Sequence, residues 1–257
     1  MSALSMSADP PQADRNLRTA LASGDGRSAS GLLDGDLTWV NAEGRLFDKA
    51  QALEVRPEAL LGGDIDVHRY EQLATVRAEA GKRFALRIWV ERKDGWRLLV
   101  WHEVAQDGQP APHGAGRKEY DNPCFTLPYA PKSPDEHDCL QSWQQLEVAV
   151  MRHDPNEWAR HVADEFVVVG AARRHGKADR FAVIAEQRRT NANSAPAPLV
   201  SARLDAFGDA MLMRCEHQPF HGKAARVSRV FVRRAGLWQM AASFQTTRQD
   251  APVVTIA

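Results

Sequence analysis

The spacing of apolar residues along the chain changes from helical to alternating, and it does so twice. In each half, segments with apolar residues three or four positions apart come first, and segments rich in β-branched and aromatic residues follow. The first half predicts helices near 10–24, 28–33 and 46–55, and strands near 36–40, 64–73, 74–80, 84–91 and 96–104. The second half predicts helices that begin near 133, 154 and 176, and strands near 165–170, 199–207, 210–218, 225–233 and 238–247.

Two ten-residue segments repeat one strand–turn–strand pattern. Arg87–Trp96 and Arg229–Trp238 are identical at four of the ten positions, and Trp89 is matched by Phe231. A repeat at this long spacing indicates two homologous domains in tandem. We expect domains over 1–105 and 133–257, joined by a linker over 106–132 that is rich in glycine and proline.

Capping sequences mark the starts of several helices. In Ser133–Glu136, a serine precedes proline at the first helical position, and a glutamate follows where it completes a capping box. Asp154–Glu157 repeats this chemistry, and Asp9 precedes the first predicted helix. We expect side-chain caps at all three places.

Composition narrows the possible partners. Lysine plus arginine and aspartate plus glutamate number 33 each in 257 residues, so no basic excess points to nucleic acid or to an anionic membrane surface. The N-terminus lacks the regions of a signal peptide, and no apolar run is long enough to cross a bilayer. Cys124, Cys139 and Cys215 form no C-x-x-C pair, which suits a reducing compartment. These features predict a cytoplasmic protein.

Motifs for cofactors and metals are weak. Gly114-x-Gly116 follows no predicted strand, and His217–His221 lies in a predicted turn without a third ligand. We expect no cofactor and no metal. Several other residues are candidates to line a pocket: His68, His102, His175, Trp39, Tyr70, Trp89 and Trp101. For each of them, core packing or a structural role is the simpler interpretation.

Arginines recur at matching places on the predicted strands. Alternation places the aromatic residue of each repeat on the same face as its first arginine, Arg87 or Arg229. In the preceding strand of each half, Arg77 and Arg214 occupy equivalent positions. The residues alone leave two interpretations open, since each arginine pair either points to solvent or lines a pocket.

The order of elements resembles the NTF2-like superfamily, and in particular its SnoaL-like and calcium/calmodulin-dependent kinase II association-domain branch. The resemblance covers about 10–105 and 133–249. It implies two α+β cones, in each of which N-terminal helices close over a bent antiparallel sheet and leave a pocket at the open end. Members of the superfamily include isomerases, dehydratases and non-catalytic assembly domains, so the fold does not choose a function.

The resemblance also frames a catalytic alternative. Steroid isomerases of the superfamily place a carboxylate base where this chain has Asn41 and Gly170, and neither residue removes a proton from carbon near neutral pH. Glu103 and Glu216 are substitute bases if they are buried, because desolvation raises a carboxyl pKa. Two classes stay open: a small-ligand-binding module, and a lyase, isomerase or hydrolase with a non-standard acid–base site.

Association-domain relatives carry arginines in a polar pocket at the positions matched by Arg214 and Arg229. The resemblance therefore implies a small carboxylate ligand between these two residues, with Phe231 as an apolar wall. Gln245 and Glu103 replace a third family arginine, and Glu103 is expected to neutralise the arginines of the first domain. The candidate ligand-binding residues are Arg214, Arg229, Phe231, Gln245 and Glu216 in the second domain, and Arg77, Arg87, Trp89 and Glu103 in the first.

On the strand faces opposite to Arg87 and Arg229, apolar residues require burial against another surface. Ile88, Val90, Val230 and Val232 have this property, and single-domain relatives pair through their sheets. We therefore expect the two domains to form an intrachain pseudo-dimer, with further homo-oligomerisation left open.

Overall fold

Two units make up the chain in the computed structural model, which describes residues 9–55, 64–106, 127–192 and 196–255. Contacts between residues divide the chain into unit 1, Met1–Ala105, and unit 2, Gln106–Ala257. Most of the predicted linker, 107–126, lies outside the described residues.

Unit 1 begins with helices and ends with a run of strands. Its helices are α1 (Pro10–Ser23), α2 (Gly26–Leu32) and α3 (Lys49–Val55). Its strands are β1 (Leu33–Val40), β2 (Leu46–Phe47), β3 (Asp64–Tyr70), β4 (Leu73–Ala80), β5 (Arg83–Arg92) and β6 (Gly95–Ala105).

Unit 2 repeats this order of elements. Its helices are α4 (Pro134–Met151), α5 (Pro155–Arg160) and α6 (Lys177–Arg189). Its strands are β7 (Val162–Gly170), β8 (Arg173–Gly176), β9 (Leu199–Phe207), β10 (Ala210–His217), β11 (His221–Gly222), β12 (Ala225–Arg234), β13 (Leu237–Thr247) and β14 (Val254–Thr255).

Each unit holds one six-stranded sheet with the same strand order. The orders are β2-β1-β6-β5-β4-β3 and β8-β7-β13-β12-β10-β9, and β11 pairs with β14 in a separate two-stranded ribbon. The long strands form antiparallel meanders, as predicted. In each sheet the first long strand pairs in parallel with the last. The predicted α+β class, with helices first and two separate sheets, is confirmed.

Both meanders contain a register shift at the same place in the repeat. The pairing of β5 with β6 shifts between Ile88 and Trp89, and that of β12 with β13 shifts between Val230 and Phe231. A β-bulge of this kind bends its strand and increases the local twist.

A lysine joins the third helix of each unit to the first strand. Lys49 Nζ donates to the carbonyl of Leu33 at 2.8 Å, and Lys177 Nζ donates to the carbonyl of Val162 at 3.0 Å. These two bonds fix equivalent positions on α3 and α6, so the residues that follow each lysine can be compared between the units.

The capping sequences behave mostly as expected. Ser133 Oγ accepts from the Glu136 amide at 3.2 Å, and the Asp154 carboxylate accepts at the start of α5. At Asp9 the carbonyl oxygen closes the first turn instead, with no side-chain cap.

The helix predicted over 46–55 is wrong in its first turn. Leu46 and Phe47 form strand β2 beside β1, and the helix begins only at Lys49.

Each sheet buries one face under its own helices. In unit 1, Ala13 and Leu17 of α1 pack into a core with the strand residues Val76 and Trp89. In unit 2, Leu140 and Trp143 of α4 pack into a core with the sheet of that unit. A buried leucine side chain contributes roughly 1.5–3 kcal/mol relative to an exposed one, so these contacts hold the helices on the sheets.

The four apolar residues that led to the pseudo-dimer prediction are all buried. Ile88, Val90 and Val230 have no exposed surface, and Val232 has 1%. The pairing of the two units stays a prediction. Within the part of the chain that the structure describes, no helix is both long enough and apolar enough to pass through a membrane.

Candidate functional site

A row of facing residues crosses each sheet on the side of the helices. Paired residues on neighbouring strands project to the same face, so the two rows can be compared position by position. The row of unit 1 is Phe47, Trp39, Trp101, Arg87 and Val76. The row of unit 2 is His175, Val168, Ser243, Arg229 and Met213.

Aromatic side chains fill the interior of unit 1. The Trp39 ring stacks on Phe47 with centroids 4.5 Å apart, and its centroid lies 6.5 Å from that of Trp101. A cavity of about 10 Å³ remains, lined by Leu21, Leu33, Leu37, Trp39, Ala52 and Trp101. This volume suffices for no more than about one water molecule.

Arg87 is locked into an internal ion pair. Asp14 of α1 accepts from Arg87 Nε at 2.5 Å and from Nη2 at 3.0 Å, and both side chains are buried. Trp89 Nε1 also donates to Asp14, at 3.3 Å, and Arg18 pairs with the same carboxylate at 3.1 Å. Asp14, rather than the expected Glu103, therefore neutralises Arg87.

Glu103 is a partly buried carboxyl with a different partner. The indole N–H of Trp39 donates to it at 3.1 Å. Burial raises the pKa of Glu103 to about 7, against the lowering effect of the Trp39 hydrogen bond, a backbone N–H and the charge of Arg83. Unit 1 thus holds a carboxyl that titrates near neutral pH beside a nearly closed apolar interior.

The matching positions of unit 2 carry smaller or polar side chains. Val168, His175 and Ser243 stand where unit 1 has Trp39, Phe47 and Trp101. On the third helix, Arg180 follows Lys177 at the same interval as Ala52 follows Lys49. Arg180 therefore takes the place of a residue that lines the small cavity of unit 1.

Arg180 and Arg173 are largely buried cations without a hydrogen-bonded acid among the described residues. Neither makes a hydrogen bond or ion pair with any residue that the structure describes, and Arg180 Nη1 is fully buried without a partner. Burial, followed by the charge of Arg173, lowers the pKa of Arg180 to about 10, and burial lowers that of Arg173. Buried charges without hydrogen-bonded partners are costly, so these two guanidinium groups favour binding of an anion.

His175 is influenced by the charges of both arginines. Burial lowers its pKa, the charges of Arg173 and Arg180 lower it further, and Asp179 opposes them. The imidazole is therefore neutral at pH 7, and its buried Nδ1 has no hydrogen-bond partner among the described residues.

Arg229 lies deeper, and its Nη1 atom is already engaged. Nη1 donates to His217 Nε2 at 3.0 Å and to Cys215 Sγ at 2.9 Å. His217 Nδ1 lies 2.9 Å from the Ala197 carbonyl. Because a carbonyl only accepts, Nδ1 carries the proton and Nε2 is the acceptor for Arg229. Burial and then the charge of Arg229 lower the pKa of His217 to about 3, so it stays neutral.

Glu147 of α4 links the deep arginine to the outer ones. Burial raises its pKa, whereas the charges of Arg229 and Arg180 lower it. The Arg229 guanidinium also lies 5.8 Å from the centroid of the Trp143 ring. Glu147 is thus the one acid that acts on both Arg229 and Arg180 in the described part of unit 2.

The position of the helix carboxylate distinguishes the two units. Asp14 and Trp143 stand at equal intervals before the helix caps Asp25 and Asp154. Where unit 1 has a carboxylate against its arginine, unit 2 therefore has an indole, and the acid Glu147 lies one helical turn further on. Among the described residues, Arg229 consequently has no bidentate carboxylate partner.

The predicted pairing of Arg214 with Arg229 is wrong. Arg229 faces Met213 across the strands, and Arg214 faces Ser228. Since neighbouring residues of a strand project to opposite faces, the two guanidinium groups lie on opposite sides of the sheet. Arg214 pairs with Asp205 at 2.5 Å instead.

Two further candidates lie on that outer face. Glu216 bonds to Arg248 at 2.9 Å on the side of the sheet that carries Arg214. In unit 1, Arg77 pairs with Asp66 at 2.7 Å, on the face opposite to Arg87. Neither residue shares the interior with the central arginine of its unit.

The remaining candidates of unit 2 do lie on the inner face. Gln245 follows Ser243 on the same side of β13 and donates to its hydroxyl at 3.3 Å. Phe231 is fully buried in the core. Sequence reasoning missed Glu147, Arg173 and Arg180, although aligning the two halves on Lys49 and Lys177 would have set Arg180 against Ala52.

Among the described residues, no set of metal ligands accompanies Arg173, Arg180 and Arg229. Within the described ranges, no three histidine, cysteine, aspartate or glutamate side chains stand close enough together to hold a metal ion.

Comparison with known proteins shows a similarity in fold. No family model matches the chain, and no curated protein does. Solved structures do match: an NTF2-like protein from Cytophaga hutchinsonii, at 17% identity and TM-score 0.33, covers 37% of this chain and 93% of its own. A protein of unknown function with a cystatin-like fold from Nostoc punctiforme, at 13% and 0.39, covers 47% and 96%. A candidate calcium/calmodulin-dependent kinase II association domain from Exiguobacterium sibiricum, at 18% and 0.32, covers 42% and 100%. The chain is similar to these proteins in fold.

Proposed function

We propose that unit 2 binds a small organic anion, with a carboxylate as its recognised group, on Arg180 and Arg173 inside the interior covered by α4 and α6. The observation that carries this proposal is that neither guanidinium group, although largely buried, makes a hydrogen bond or ion pair with the described residues, and that Arg180 Nη1 is fully buried. A bound carboxylate accepts two parallel hydrogen bonds from one guanidinium and offsets the repulsion between the two.

The expected affinity is modest. Each hydrogen bond to a charged group contributes roughly 1.5–3 kcal/mol, and association costs several kcal/mol. Two such bonds therefore support a Kd in the range of about millimolar to micromolar. Unit 1 is expected to bind nothing of this size, because Trp39, Phe47 and Trp101 occupy the matching space.

Calorimetric titration with acetate, butyrate and benzoate tests the proposal. We expect Arg180→Gln to weaken binding at least tenfold, because it removes the buried donor that has no partner. Arg188→Gln is the matched control, since Arg188 is an exposed residue of the same helix. Equal binding by the wild type and Arg180→Gln, or no binding of any of the three acids, would overturn the proposal.

A second candidate function is proton transfer on the bound acid. It is favoured by His175, a neutral imidazole with a free Nδ1 beside Arg180, because a general base must be unprotonated and near its target. Exchange of the α-protons of bound carboxylates in D₂O, followed by NMR, would detect it. Exchange that is unchanged in His175→Gln would exclude His175 as the base.

A further inference from the structure

We infer that the ligand of unit 2 is a dianion, presenting two negative charges to Arg173 and Arg180. The inference rests on the proposed function and narrows its ligand class from small anions in general to dicarboxylates and phosphate-type groups.

The first step is a count of charge in the cluster. Among the described residues, Glu147 is the one acid that acts on both Arg229 and Arg180, and Arg173 adds a third guanidinium group beside Arg180, whose buried Nη1 atom has no hydrogen-bond partner. With Glu147 ionised the excess is two positive charges, and with Glu147 protonated it is three. A monocarboxylate therefore leaves at least one buried cation uncompensated, whereas a dianion balances the cluster when Glu147 is ionised.

The acid nearest on the same helix does not change this count. Asp179 is exposed and accepts from the Gly176 amide at 3.2 Å. Its charge raises the pKa of His175, but it is not among the groups that shift the pKa of Arg180 or of Arg173. Water screens such an exposed carboxylate, so it is a weak counterion for buried groups.

The hydrogen-bond donors available to a ligand belong to two of the three arginines. Arg229 Nη1 is committed to His217 and Cys215, so recognition falls to Arg180 on α6 and Arg173 on β8. Each guanidinium offers a planar fork of donors that fits one carboxylate or two oxygens of a phosphate. Two uncommitted forks on neighbouring elements match two anionic groups of one ligand.

Unit 1 supplies an internal comparison for this pair. The residues that match Arg173 and Arg180 are Arg45, which is exposed, and Ala52, which lines the small cavity. A buried pair of arginines is thus a feature of unit 2 and not of the repeated fold.

The experiment compares monoanions with dianions at one ionic strength. Acetate, succinate and inorganic phosphate are titrated at pH 8 into the full chain, with sodium chloride holding the ionic strength constant, because salt screens charge interactions. We expect at least one of the dianions to bind ten or more times more tightly than acetate. Tighter binding of succinate identifies a dicarboxylate site, and tighter binding of phosphate identifies a phosphate site.

Arg173→Gln separates this inference from the proposed function. It should reduce the ratio of dianion to acetate affinity to about one while acetate still binds, and Arg188→Gln should keep the wild-type ratio. Circular dichroism of each variant checks that it folds. If acetate binds the wild type as tightly as both dianions do, the dianion inference fails and the proposed function survives. If none of the three anions binds, both fail.

Discussion

One arginine of the repeat has two different chemical environments. Arg87 is held by a bidentate carboxylate, and it is balanced and fully enclosed. Arg229, at the same place in the second unit, has a thiol and a neutral imidazole as acceptors. The acid that interacts with it, Glu147, also interacts with Arg180. The same side chain is therefore structural in one unit and part of an unbalanced cationic cluster in the other.

Replacing the carboxylate of the closed pair should destabilise unit 1. Asp14→Asn leaves Arg87 buried with no opposite charge, and breaking a buried pair from one side costs about 3–5 kcal/mol. Urea denaturation measures the effect. Glu54→Gln, an exposed change on α3, is the control and should stay within about 0.5 kcal/mol of the wild type. Equal stability of both variants would show that the Asp14 pair contributes little.

Glu103 should make unit 1 less stable as the pH rises. Its pKa in the folded state is about 7, against an unfolded value of about 4.3, so between these values the folded protein holds a proton that the unfolded chain has lost. Unfolding free energy then falls with rising pH across that window, by up to about 4 kcal/mol, and levels off above it. Urea denaturation at pH 5, 6, 7 and 8 should show this fall in the wild type and a flatter profile in Glu103→Gln. Parallel profiles would contradict the prediction.

At the scale of elements, the sequence correctly predicted those helices and strands that local signals determine. Strand Leu199–Phe207 and the start of α4 after Ser133 agree with the structure, because alternation and capping are local signals. Strand β2 was missed, because two residues owe their pairing to Trp39 and Val40 on another strand.

The site was harder to predict than the strands. The prediction assigned Arg214 and Arg229 to one cleft, whereas their faces depend on the register between β10 and β12. The counterions Asp14 and Glu147 lie on helices far from their arginines in sequence, so strand alternation gave no signal for them.

The cap of α4 provides a test of a locally predicted feature. Ser133→Ala removes the acceptor of the Glu136 amide, and loss of such a cap costs about 1 kcal/mol. Thermal and urea unfolding should both report a destabilisation of this size. Ser201→Ala, at an exposed position of β9, is the control. A cost at Ser133 no larger than the cost at Ser201 would indicate that proline and the remaining first turn suffice.

At the scale of the whole molecule, the two units share a frame and differ in what fills it. The strand order, the lysine bonds to Leu33 and Val162, and the strand register are the same. At the matching inner-face positions, unit 1 has Trp39, Phe47 and Trp101, whereas unit 2 has Val168, His175 and Ser243. The predicted pseudo-dimer and the cytoplasmic location stay predictions, and small-angle scattering of the full chain at several concentrations would check the former.

The register shift shared by the two meanders is evidence for how the two units are related. It falls between Ile88 and Trp89 in one unit and between Val230 and Phe231 in the other. The extra residues, Leu99 on β6 and Ala241 on β13, occupy equivalent positions, which is what descent of both units from one bulged domain would produce. An ancestral domain of that kind would carry its arginine on the strand that faces the bulge, because Arg87 and Arg229 lie on β5 and β12 whereas the extra residues lie on β6 and β13.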